Sequence, residues 1–230
     1  MLEAIGLSKK YDGQDALLDL NLSVEAGEIY CLLGQNGAGK TTTINLFLGL
    51  IKPSSGKALI DGHEVGKDAA STQMIAYIPE VVQLYGNMSG LENLDFFSRI
   101  AGYKLEKSDL SELLIKAGLD ERDIGKKLSD YSKGMRQKVG IAIALSKKAK
   151  VIFMDEPTSG LDPKARDEFT MICKELSAGG TSIFMATHDL FNAVNVGSRI
   201  GIMKEGNLIH TTETQNISAH ELQELYLKTI

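Results

Sequence analysis

The chain has 230 residues, 43% of them apolar and 24% charged, with a formal net charge of −5 and a pI near 5.5. Such a length builds one domain with a full core and leaves little for a second. The acidic balance excludes the sequence-wide basic footprint of a nucleic-acid binder, two cysteines without a CxxC spacing exclude a disulfide framework, and no apolar run reaches the ~18–20 residues that cross a bilayer.

The first elements read as strands. LEAIGL (2–7) and LLDLNLSV (17–24) alternate, which predicts half-exposed antiparallel strands. EIYCLLG (28–34) is apolar almost throughout and predicts a buried central strand. A helix is expected from about Gly39 to Leu50, then a strand at KALIDG (57–62) ended by the turn signal Asp61-Gly62, then another buried strand at MIAYIPE (74–80). The opening residues show no basic stretch leading into an apolar core, so no leader peptide is read and the chain is expected to be cytosolic. Cys31 and Cys173 are expected as buried free thiols.

The middle of the chain differs. From about Ser89 to Lys148 the strand signal nearly vanishes. SGLENLDFFSRIAG begins with a capping box, Ser89 with Glu92, and closes at Gly102. KSDLSELLIKAG predicts a second helix closed by Gly118, and the polar turn Ser132-Lys133-Gly134 opens a third. A helical subdomain over about residues 88–148 is therefore expected within an α/β core. Strands return at KVIFMDE (150–156) and TSIFMAT (181–187), with a helix between them that starts at Asp162-Pro163, an N-cap followed by a first-position proline. RIGIMKEGNLIHT (199–211) reads as a hairpin around Gly206-Asn207, and a terminal helix over about 217–229 carries a second capping box, Ser218 with Glu221.

Chemistry enters with Gly34, Gly39, Lys40 and Thr41, which fill the phosphate-loop pattern G-x-x-x-x-G-K-[ST] between a buried strand and a helix. Glycines there let backbone N–H groups close around phosphates, the lysine supplies a point charge, and the hydroxyl is a Mg²⁺ ligand. VIFMDE ends its strand on Asp155 and Glu156, at the end of a parallel sheet where ligands bind. Beside a phosphate loop, Asp155 suits Mg²⁺ held through water and Glu156 suits orienting an attacking water. The alternative is two carboxylates that merely turn or cap. His188 follows another strand end, in a functional or a structural role. The start at Ser132 is a second anion-type helix start, where small residues and free N–H groups meet the positive end of a helix dipole.

Six segments in order now carry a resemblance: Tyr11, the loop Gly34–Thr41, YIPE (77–80), YSKGM (131–135), VIFMDEPTSGLD (151–162) and THD (187–189). Together they resemble the nucleotide-binding subunits of ABC transporters over essentially the whole chain. The resemblance implies an α/β P-loop NTPase of the ABC-ATPase fold, with a RecA-like core, an antiparallel β subdomain and the inserted helical subdomain, in a single nucleotide-binding domain over 1–230. It also implies ATP and Mg²⁺ as cofactors and ATP hydrolysis that powers a separate transmembrane permease. A second copy would pair head to tail, nucleic acid would play no part, and the subunit would sit peripherally on the inner face of the cell membrane.

By the same resemblance, Tyr11 would stack on adenine, and Gly34, Asn36, Gly37, Ala38, Gly39, Lys40, Thr41 and Thr42 would hold the nucleotide. Thr41, Asp155 and Glu80 would serve the metal, and Glu156, His188 and Lys40 the catalysis. Asp162 would lie at the dimer contact, where it is also read as a helix N-cap. Ser132 and Gly134 would bind the γ-phosphate of the nucleotide held by the other copy. Two departures stand out. Tyr-Ser-Lys-Gly-Met replaces the common Leu-Ser-Gly-Gly-Gln, so Lys133 adds a cation on the phosphate rim. Glu80 replaces a common glutamine, where it either contacts the metal or its water, or faces solvent and the permease. Both variants and the ELQELYLKT helix resemble the branch that energises exporters of drugs, lipids, polysaccharides or other cargo. A soluble ABC ATPase with a non-transport role is the alternative. LDFFSRI (94–100) reads either as core or as part of a groove for a coupling helix of the permease.

Overall fold

The structure is a computed structural model that describes residues 2–229. Its first hairpin joins β1 (Leu2–Tyr11) to β2 (Gln14–Val24) through Asp12 and Gly13, which have φ of 43° and 89°. β4 (Ser55–Ile60) and the two-residue β5 (His63–Glu64) complete an antiparallel four-stranded sheet in the order β2-β1-β4-β5. The alternating apolar residues of β1 and β2 supply its buried face, as the period-2 pattern requires.

The larger sheet contains β3 (Ile29–Gly34), β6 (Ile75–Ile78), β7 (Val151–Asp155), β8 (Ser182–Thr187), β9 (Arg199–Lys204) and β10 (Asn207–Glu213), in the order β10-β9-β3-β8-β7-β6. Only the β9–β10 pair is antiparallel. All six residues of β3 are buried, because both faces of the sheet are covered. Its alternate residues feed two cores. Cys31 and Leu33 pack with the helical side; Tyr30 and Leu32 pack toward the four-stranded sheet and α1 (Lys40–Phe47). An aromatic layer fills the second core, with Tyr30 stacked on Phe184 and Phe47 on Phe153, each at 5.7 Å between centroids.

The middle of the chain holds α3 (Gly90–Ile100), α4 (Lys107–Lys116) and α5 (Lys133–Ser146), after a short α2 (Ala69–Gln73). The Ser89–Glu92 capping box forms in both directions, at 3.2 and 2.7 Å. α6 (Pro163–Ala178), α7 (Leu190–Val196) and α8 (Ala219–Thr229) follow. Asp162 caps α6 through the Ala165 N–H at 2.9 Å, and Ser218 with Glu221 forms the terminal box. Both cysteines are buried and free.

Two local expectations change. β6 is an edge strand, and Tyr77 is 39% exposed on it, because no strand pairs beyond it among the described residues. The late hairpin turns on Glu205-Gly206, with φ of 48° and 80°, one residue before the expected Gly206-Asn207; two successive left-handed residues match the twist of a two-residue hairpin. As expected, Gly102 closes α3: it follows the cap at Ala101 with φ of 89°, and its N–H donates to Arg99 O at 3.0 Å.

Candidate functional site

Parallel register brings four chain segments to one edge of the larger sheet. Leu33 pairs with Thr187, Ala186 with Asp155, and Met154 with Ile78. The chain leaves these strands toward Lys40, His188, Glu156 and Glu80 respectively. A cleft of about 270 Å³ opens there, lined by Ala16, the loop from Gln35 to Thr42, Glu80, Asp155 and Glu156.

The loop between β3 and α1 is shaped by its glycines. A Cβ on Gly34 would lie 2.7 Å from the Met203 carbonyl oxygen, and one on Gly39 2.7 Å from that of Ala16, with φ at Gly39 of 108°. Gly37, at φ 84°, meets nothing within 4 Å and faces open space. Left-handed φ and close backbone approach are what glycine alone supplies. The Gly206 N–H also donates to the Ala38 carbonyl at 3.0 Å, so the β9–β10 turn braces the loop from behind. Lys40 is 6% exposed; its Nζ donates to Gly34 O at 2.6 Å and Gln35 O at 3.2 Å and lies 3.9 Å from Glu156 Oε1. Burial pushes its ammonium below the ordinary lysine value, against the pull of Glu156 and Asp155.

Each acidic side chain meets a different neighbour. Asp155 Oδ2 accepts from the Thr41 hydroxyl at 3.0 Å. Burial raises its carboxyl above the ordinary value; the Thr41 bond opposes this, and the Glu156 charge adds to it. Glu156 has φ 46°, and its N–H donates to Ala186 O at 2.9 Å. Its Oε2 lies 2.8 Å from His188 Nδ1 and accepts the His188 N–H at 3.3 Å. Glu80 Oε1 accepts from the Ser159 hydroxyl at 2.9 Å. A left-handed non-glycine residue at such a place stores strain and re-aims its side chain.

The structure thus brings together the phosphate loop, Thr41, Glu80, Asp155, Glu156 and His188. It does not bring in the others. Tyr11 is 43% exposed at the end of β1, with the Lys9 ammonium 4.8 Å over its ring, and does not line the cleft. Ser132 and Gly134 start α5 beside a different neighbour: a Cβ on Gly134 would lie 3.3 Å from that of Ala165 on α6. Ser132 Oγ accepts the Met135 N–H at 3.2 Å, so this helix start is capped by its own serine. Sequence reasoning missed Ala16, Ser159 and Gln137. Gln137 is buried and donates to Glu80 O at 3.2 Å; nothing in the local sequence announces these contacts, because each joins distant segments.

The family described as ABC transporter matches residues 17–159. The chain is 34% identical to the linearmycin resistance ATP-binding protein LnrL of Bacillus subtilis, over 91% of this chain and 68% of that protein. It is 36% identical to the bacitracin transport ATP-binding protein BcrA of Bacillus licheniformis, again over 91% of this chain and 68% of that one. The chain therefore spans about two thirds of the length of these relatives. Among solved structures, a dimeric ATP-binding cassette, MJ0796, in a post-hydrolysis state bound to ADP and Pi superposes with a TM-score of 0.82 at 27% identity, over 93% of this chain and 99% of that one.

Proposed function

This chain belongs to the ABC transporter family of ATP-binding proteins, and we propose that the cleft just described is its ATP site. The fold is that of the ABC ATPase cassettes. The activity is ATP hydrolysis with Mg²⁺, coupled to a separate transmembrane permease, and a second copy completes the working unit. No helix among the described residues is long and apolar enough to cross a membrane. We place the subunit peripherally on the inner membrane face, held there by the permease.

One observation carries the reading of the site: a buried lysine and three carboxylates converge on a glycine loop at the ends of β3, β6 and β7. Thr41, Asp155 and Glu80 offer only oxygen ligands, which suits Mg²⁺ and not a soft metal. Bound there, the ion would neutralise phosphate charge. Lys40 would turn its ammonium from the loop carbonyls toward the phosphates. Glu156, held by His188, would orient the attacking water, and His188 would reach the γ-phosphate. Ser132 and Gly134, on a helix start outside this cleft, would close over the nucleotide of the other copy, with Asp162 at the contact. Tyr11 would swing its exposed ring onto adenine. ATP closes the pair and hydrolysis reopens it, since a ligand shifts only the equilibrium it binds differentially.

The words resistance and transport in the relatives' names support an exporter. Within LDFFSRI, Leu94 is fully buried, whereas Phe96 and Ile100 are exposed, and the Phe96 ring meets that of Tyr85 at 5.0 Å between centroids. That apolar face supports docking of a permease helix. The test of the site is Glu156→Gln. It should bind MgATP, lose about 10²–10⁴ in turnover, as removal of a catalytic base does, and accumulate an ATP-bound dimer. Unchanged turnover overturns the assignment.

A further inference from the structure

Each carboxylate of the cleft is held by a donor from another element: Thr41 serves Asp155, His188 serves Glu156, and Ser159 serves Glu80. The first two donors already belong to the reading above. Ser159 has no role there. It lies on the loop after Glu156, and 79 positions separate it from Glu80 in the chain.

The main chain under Glu80 is fixed independently. Gln137 donates to the carbonyls of Glu80 and Pro79 at 3.2 and 3.5 Å, and its own Oε1 is buried without a partner. An unpaired buried acceptor is unfavourable, so the amide serves this segment through its donor end. With the backbone pinned, the direction of the Glu80 carboxylate is left to its side-chain torsions. Glu80 is exposed, and an unrestrained exposed glutamate spreads over many rotamers. The Ser159 hydroxyl selects one of them, in which Glu80 lines the same wall as Asp155.

We infer that Ser159 is a positioning residue that holds the Glu80 carboxylate on the metal side of the cleft, and so ties divalent-cation affinity to the loop that carries Asp162. The inference rests on the MgATP reading above. Ser159 is built into that loop: its N–H donates to Glu156 O at 3.1 Å, and Leu161 N–H to Thr158 O at 3.2 Å. Asp162 follows three residues later.

Mn²⁺ binding to the ADP complex, followed by the electron paramagnetic resonance of free Mn²⁺, tests this without turnover. Ser159→Ala should weaken Mn²⁺ about three- to tenfold, the weight of one solvent-screened hydrogen bond to a charged group. Affinity for ADP without metal should stay unchanged, and Ser159→Thr, which keeps the hydroxyl, should restore the Mn²⁺ affinity. In a Glu80→Ala background, Ser159→Ala should add nothing. Wild-type Mn²⁺ affinity in Ser159→Ala, or an undiminished loss in the Glu80→Ala background, overturns the inference alone. A wild-type protein that binds no Mn²⁺ with ADP overturns the MgATP reading and this inference together.

Discussion

The two helix starts that face phosphate in the proposed dimer are built in opposite ways. At α1 the N-cap is Gly39, with left-handed φ and no side-chain cap, and the lysine that follows is buried. At α5 the N-cap is Ser132, extended and exposed, and its own hydroxyl already occupies the Met135 N–H. Orphan N–H groups at a helix start need a partner. The first start leaves them for a ligand, in a glycine cradle that the rest of the fold braces. The second satisfies one of them itself and stays complete without any ligand. A preformed site and a self-capped one suit a division of labour, in which one holds nucleotide in the lone subunit and the other engages only when a second copy brings a phosphate close enough to compete.

The comparison breaks most decisively by mixing two inactive proteins, Lys40→Ala and Ser132→Arg. In a head-to-tail mixed dimer one composite site carries both defects and the other carries neither. Single-turnover hydrolysis at high protein concentration should therefore reappear on mixing. If Ser132 served its own subunit's nucleotide, every site would keep a defect and mixing would restore nothing.

Gly39→Ala should come next in size. The new Cβ would sit at a φ of 108° and 2.7 Å from the Ala16 carbonyl oxygen. Strain of that kind costs about 1–3 kcal/mol, and it falls on the cradle, so nucleotide affinity and melting temperature should drop together. A variant that binds ADP like the wild type would mean that the cradle is not rigid. Ser132→Ala should be mildest, because it removes a cap worth about 0.5–2 kcal/mol. Its melting temperature should fall by a few degrees while ADP affinity of the isolated subunit stays intact; a loss of that affinity would erase the distinction between the two starts.

These contrasts were only half legible in the residue order. β1 and β2 were, because burial on one face writes itself into alternation; β3 was, because burial on both faces makes its run continuously apolar; α5 and both capping boxes were, because their start signals are local. The short segments were not. β5 has two residues and α2 five, too few for a period to show. α7 did carry a signal, since Asp189 caps it through the Asn192 N–H at 3.0 Å, but the segment is only seven residues long. Phosphate-loop chemistry was readable because it is contiguous in the chain. The pairs Glu80–Ser159 and Glu156–His188 depend on the order β8-β7-β6, which no local pattern encodes. Tyr11 shows the reverse case: its motif position was clear, yet the ring stands apart from the cleft wall.

The buried cysteines have a practical consequence. Cys31 lies in β3, immediately upstream of the phosphate loop, and its Sγ is so enclosed that a Cβ on Gly197 would come within 3.0 Å of it. Burial pushes its thiol up to about 12 and raises that of Cys173 as well. Only the thiolate reacts at speed, and neither sulfur meets solvent: Cys31 lies within the sheet and Cys173 on α6 against the same core. Alkylation by a small reagent must therefore wait for that core to part. The two native thiols act as an internal clock, whose ticking rate reports how often the nucleotide core opens and how strongly a bound ligand slows it.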